Sequence, residues 1–356
     1  MANMSEQGTA GQIAPTRTPN HPLRAVTQFI GPENLSLLIA LVVLVIIITT
    51  QTPYFFVPRN LLNVGMNISV VGLLAVGMTF VIVSNGLDIS VGSIAGVASI
   101  SSAIMVTYLH TVSGGILVGV ALGALLGAVN ATIITYLRVN PVVATLATLS
   151  AYQGLAFLIA PGGRPIGVLD QNFALLGSGR IFEVGTFPGI PISFILLVVA
   201  ALAGHFVLRS TVFGRSVYAM GGNPAAARLA GINLTRMKYY IYILSGALSG
   251  LAGVIVTART SSGQPTSGTA GLELETITSV FLGGAILAGG KGTVVGSMLA
   301  VLLLGVLSNG MNLQGIPTFY QLVAKGFLLV VAVAIGQFRM ARAEKQQAKA
   351  AAQAKS

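Results

Sequence analysis

An all-α, polytopic membrane protein of about ten transmembrane helices is the fold class this sequence predicts. Three observations carry it. Charged residues make up only 8% of the chain against 54% apolar ones, where a soluble domain averages about 25% charged. The apolar residues gather in runs of roughly 15 to 20, the length that crosses a hydrocarbon core of about 30 Å. The cations collect in the connections on one side of those runs, as the positive-inside rule requires.

Taken in order, residues 1–34 are polar, contain Pro and Thr, and read as a disordered cytoplasmic tail. No early apolar core precedes a cleavage site of small residues, so a cleaved signal peptide is not expected. Residues 35–337 form the transmembrane domain. Its expected spans are 35–50, 64–84, 89–109, 115–136, 141–160, 191–208, 239–258, 275–289, 293–309 and 319–337. The eighth is short, and the second and third are barely separated. Residues 338–356 form a basic cytoplasmic tail.

Alternation of these spans from an inside amino terminus makes both termini cytoplasmic. Arg17, Arg24, Arg138, Lys291 and all the cations of the connection 209–238 then lie inside, with those of the carboxyl tail. Only Arg59, Arg164, Arg180 and Arg259 lie outside, and Lys325 falls within the last span. Two external segments, Pro161 to Pro191 and Arg259 to Glu275, hold Asp170, Glu183, Glu273 and Glu275, half of the 8 acids in the chain. Their Gly, Pro and Ser content predicts ordered turns. They are either solvated loops or a surface on which a partner docks.

The fourth span carries Gly115, Gly119, Gly123, Gly127 and Ala131 on one face, a stripe that lets another helix backbone approach closely. A faint internal echo links residues 86–93 (GLDISVGS) to 290–297 (GKGTVVGS).

Several function classes are excluded. The net charge of +11 is spread over short loops and tails, so nucleic acid is not an expected partner. No Cys is present, which removes disulfides, thiolate metal sites and Cys nucleophiles. His21, His110 and His205 are scattered, without metal-ligand or triad spacing. The nearest approach to a nucleotide loop, Gly289-Gly290-Lys291-Gly292-Thr293, puts Gly where Ser or Thr should bind magnesium. No catalytic residue, metal site or cofactor is expected, and any ATP energy must come from another chain.

The polar connection 209–238 carries Arg209, Arg215, Arg228, Arg236 and Lys238 and no acid. At its centre a short helix has both ends written out: Asn223 as cap, Pro224 at the first position, Gly231 for a left-handed exit. So short a helix is marginal alone and is expected to be held against the membrane domain or a partner. Asn85-Gly86-Leu87-Asp88-Ile89-Ser90 breaks the second span from the third. Asp88 there is either a helix cap or paired structural group, or a pathway residue, because a carboxylate at membrane depth needs a cavity or a partner. Lys325 is one candidate partner. Asn309, Asn312 and Gln314 offer amide donors and acceptors suited to hydroxyl recognition, although a turn before Gly315-Ile316-Pro317 accounts for them nearly as well.

Four blocks resemble the ribose-type permeases of ATP-binding cassette (ABC) transporters, within the bacterial branched-chain amino acid and sugar permease superfamily. They are residues 77–93 (GMTFVIVSNGLDISVGS); Gly214-Arg215 with 218–224 and 228–232; Gln264 to Gly268 with Glu273-Leu274-Glu275; and 287–293 with 309–312. The likeness covers residues 35–337. It implies a monosaccharide importer in the bacterial inner membrane, working as two permease copies or paralogues with a cytoplasmic ATPase and an extracytoplasmic sugar-binding protein. It also implies that 209–238 is the coupling loop, with Gly214, Arg215, Asn223, Pro224, Arg228 and Gly231 touching or shaping the ATPase contact. Asn85, Asp88, Ser90, Asn309 and Asn312 are expected along the pathway or its gates, and Glu273 and Glu275 on the docking surface. Ala225 departs from a Glu often found after the Asn-Pro, and Leu272 from a frequent aromatic. The rival reading is an ion-gradient-driven secondary transporter of a small neutral solute, which predicts membrane carboxylates around an ion site.

Overall fold

The computed structural model describes residues 34–331, apart from 186 and 268–270, together with 333 and 334. The amino-terminal tail up to residue 33, the carboxyl tail 338–356 and Gly268 lie outside the described residues.

The described chain is built from helices. Those of membrane length and character are α2 (Pro58–Val83), α3 (Val91–Leu109), α4 (Val112–Thr135), α5 (Pro141–Ile159), α7 (Ile192–Ser210), α10 (Leu234–Thr260) and α12 (Val294–Leu313). Shorter apolar helices are α1 (Leu35–Gln51) and α13 (Thr318–Val331), and α11 (Leu272–Leu282) is a short helix with Glu273 and Glu275 in its first turn. Between them come α6 (Gln171–Ser178), α8 (Val212–Gly222) and α9 (Pro224–Leu229). Two-residue strands pair antiparallel, Ile166 with Gly263 and Arg180 with Pro191.

Seven of the ten expected spans are thus helices long enough to cross a membrane. The expected span 275–289 is different: α11 stops at Leu282 after 11 residues, about 16 Å or half of a hydrocarbon core. The cause is local. Gly284, Gly289, Gly290 and Gly292 all have positive φ, so the chain turns back over 283–293 instead of continuing as a helix. The expected span 64–84 begins earlier, at Pro58, where Pro occupies the first turn and its missing N–H costs nothing.

Contacts at the helix ends sort the connections into two faces, as alternation requires. On one face Val83, Tyr218, Gly290 and Gly292 meet. On the other, Asn60 bonds Asn309 and Ile166 pairs with Gly263. The helix α2 is apolar nearly all round and buried along most of its length, which makes it the central post. The peripheral helices α1, packed on α12, and α7, packed on α2, leave Ile39, Ile46, Leu202 and Phe206 exposed, the lipid-facing side of a polytopic protein.

The glycine stripe of α4 is a helix seam. A Cβ at Gly123 would lie 2.3 Å from the carbonyl oxygen of Gly246, and one at Gly127 2.1 Å from that of Tyr242, both on α10. No side chain fits there, so the two backbones touch.

Candidate functional site

The coupling segment assembles as its sequence dictates. The Thr211 hydroxyl accepts from the N–H of Gly214 at 3.1 Å and starts α8. The Asn223 side chain accepts from the N–H of Ala226 at 3.0 Å, Pro224 takes the first position of α9, and Gly231 exits at φ +84°. The expected capped helix is present. Arg215, Asn223, Pro224, Arg228 and Gly231 are exposed, whereas Gly214 is buried with its Cα against the carbonyl of Leu208. Gly214 therefore sets the α7–α8 corner, and the other five form the free surface.

The inner side of α8 is pressed onto the membrane domain. A Cβ on Gly221 would fall 1.8 Å from the carbonyl oxygen of Val83 and 2.6 Å from the nitrogen of Gly290. The Tyr218 hydroxyl donates to the carbonyl of Gly292 at 2.7 Å. Burial raises that phenol above its ordinary pKa, opposed in part by the Arg209 cation, so it remains a protonated donor. The N–H of Gly290 donates to the carbonyl of Val83 at 2.8 Å. One short helix is thus keyed to both broken spans, where α2 ends and where α11 turns back.

Beside this junction, Asp88 is fully buried. Its Oδ1 accepts from the Ser90 N–H at 3.1 Å and the Ser90 hydroxyl at 2.6 Å, and Asn130 Nδ2 lies 3.4 Å away. Its Oδ2 is approached by the Ser245 hydroxyl at 3.4 Å. Asn130 also donates to Ser90 Oγ, and its Oδ1 accepts from Tyr152. The carboxylate ties α3, α4, α5 and α10 together. It does not meet Lys325, the partner the sequence allowed, because Lys325 bonds Glu275 Oε2 at 2.8 Å near the opposite face. Asn85, at φ +60°, sits next to Gly289.

At that opposite face a cavity of 380 Å³ opens between α2, α10, α11, α12 and α13, a size typical of small-molecule sites. Asn309 and Asn312 line it, and so does Glu275. Asn60 and Asn309 exchange amide bonds at 2.8 and 3.0 Å, and Gln321 donates to Asn312 at 2.7 Å. Arg259 donates to Asn67 at 3.3 Å. The Ser308 hydroxyl in the wall is buried without a partner among the described residues. Glu273, two residues before Glu275, has a buried Oε2 that is likewise unpaired among them.

The expected pathway residues therefore fall into two groups. Asn85, Asp88 and Ser90 lie at one end of α2, and Asn309 and Asn312 toward the other, where Asn309 bonds Asn60, about 35 Å of helix before Val83. Asn67, Ser308 and Gln321 in the outer cavity, and Asn130, Ser245 and Tyr152 around Asp88, escaped sequence reading. The one available signal was Asn130, a lone amide in an apolar span.

Comparison with known proteins gives the chain its relatives. The family described as branched-chain amino acid transport system / permease component matches residues 60–333. The ribose import permease protein RbsC of Bacillus subtilis (strain 168) is 42% identical over 321 residues, 89% of this chain and 95% of its own. The protein of the same name from Escherichia coli (strain K12) is 40% identical over 299 residues, 84% and 92% of the two chains. The L-arabinose ABC transporter permease protein AraH of Azospirillum brasilense is 35% identical over 327 residues, 92% of each. No solved structure matches the chain. With most of its length matched and its helices apolar and long enough to cross a bilayer, this multi-pass membrane protein belongs to the branched-chain amino acid transport system / permease component family.

Proposed function

We propose that the chain is the membrane-spanning subunit of an ABC importer that moves a monosaccharide or similar polyol, ribose-like in size, across the bacterial inner membrane. The observation that carries this reading is α8, whose buried side is keyed to both broken spans while its own Arg215 and the following Asn223, Pro224, Arg228 and Gly231 stay exposed. An ATPase that grips those exposed residues moves the α2–α3 and α11–α12 turns with them, a rigid-body switch between two packings. ATP is hydrolysed by that partner. A sugar-binding protein delivers the solute at the opposite face, where Glu273 and Glu275 lie, and two copies of this chain flank the path. The ribose and arabinose permeases among its relatives support this substrate class over the gradient-driven alternative.

Asn309 and Asn312 line the outer end of the path, and amides suit a neutral solute with many hydroxyls. Asn85 stands at the inner end beside Asp88 and Ser90, which fix the helix junction there. The test is reconstitution in vesicles with a candidate ATPase and a candidate sugar-binding protein. ATP-dependent sugar uptake that neither partner supports without the chain is expected. Uphill accumulation by the chain alone, without ATPase, would refute the proposal.

A further inference from the structure

A second cavity, of 570 Å³, opens at the face predicted cytoplasmic. Arg138 after α4, Arg228 on α9 and Lys238 on α10 all line it, and no carboxylate does. Among the described residues none of the three has a side-chain hydrogen bond or ion pair, the ion pair present being that of Lys325 with Glu275. The outer cavity behaves differently, for there Lys325 is matched by Glu275 and Arg259 by the Asn67 amide. Lys238 is only partly exposed, so water solvates its ammonium incompletely. Three like charges around one space repel, and an anion placed among them turns that repulsion into attraction.

The geometry points to a phosphate group as that anion. The cations come from three elements and reach one space from different sides, which suits a tetrahedral group with several equivalent oxygens better than a planar carboxylate. Two guanidinium groups add forked donors, and charge-assisted bonds to phosphate are the strong class. The neutral side chains of Asn85 and Thr235 line the same wall and supply further donors. We infer that this cavity binds a phosphate group, free or esterified, at the Arg138, Arg228 and Lys238 triad. The source is either a soluble phosphate or an anionic lipid headgroup, since the cavity lies where cytoplasm and bilayer meet. The inference is independent of which solute the protein carries.

The test uses the full chain in phosphatidylcholine nanodiscs, titrated with inorganic pyrophosphate by calorimetry. Saturable binding is expected, weakened about tenfold or more in the double variant Arg138→Gln, Lys238→Gln. Arg236→Gln, an exposed cation outside the cavity, should change it less than about twofold. In parallel, native mass spectrometry of discs containing phosphatidylglycerol reads retained lipid in the same variants. Pyrophosphate binding lost in the double variant assigns a soluble phosphate, and lipid retention lost in it assigns a headgroup. The single variants give the same readouts if the double one does not fold. The inference is overturned if neither probe is held, if Arg236→Gln weakens binding as much, or if the folded double variant holds both probes as tightly as the unaltered chain.

Discussion

The N–H of Gly290 donates to the carbonyl of Val83 at 2.8 Å, which fastens the turn after α11 to the end of α2. Gly221 of α8 packs into the same bond, its Cα so close that a methyl group would strike Val83 O. Gly221→Ala is therefore expected to prise α8 from the junction. Overpacking of this kind costs roughly 1–3 kcal/mol. ATPase activity should become insensitive to the binding protein and sugar, measured in vesicles, while the permease still inserts. Full retention of stimulated turnover would show that the junction is not part of coupling.

Tyr218 tests the same linkage more gently. Tyr218→Phe deletes the donor to Gly292 and leaves the ring packing, a loss of about 0.5–1.5 kcal/mol. Sugar uptake per ATP hydrolysed should fall with little change in thermal stability. A stability loss as large as that of Gly221→Ala would mean the bond is merely structural.

Asp88 is expected to be a stability residue. In Asp88→Asn an amide nitrogen replaces one of the two acceptor oxygens, facing Ser90 or Ser245. Mispairing inside the membrane domain costs about 1–3 kcal/mol. Ser245→Ala, which removes only a 3.4 Å contact, should cost less. Melting followed in detergent, with the two variants in that order, is the check. Reversal of the order would displace the Ser90 contacts as the main support of the carboxylate.

Glu275 and Lys325 should behave as a unit. Lys325→Met strands a part-buried carboxylate beside the outer cavity, and Glu275→Gln strands the ammonium. Each is expected to lower stability by roughly 1–3 kcal/mol and to reduce uptake. The exchange Glu275→Lys with Lys325→Glu should recover much of both. Additive losses in the double variant, read as a double-mutant cycle, would mean the pair does not couple.

Local chemistry was enough to write the order of most helices and the caps at Asn223 and Gly231. These depend on neighbours within a turn or on the thickness of the bilayer, so the linear pattern of polar and apolar residues contains them. The α4 glycine stripe announced a close helix contact, but only the packing chose α10 as its partner. Sequence alone paired Asp88 with Lys325 as candidates; tertiary structure gave Asp88 to Ser90 and Asn130, and Lys325 to Glu275. The echo between residues 86–93 and 290–297 was equally mute in one dimension. Folding sets the second segment against the end of α2, just ahead of the first, with Gly290 on Val83 and the Thr79 and Ser297 hydroxyls 2.8 Å apart. Such contacts join residues far apart in the chain, and many side chains of similar type compete for each partner. Which pair forms is settled by the depth and rotation of whole helices, quantities that no local segment encodes.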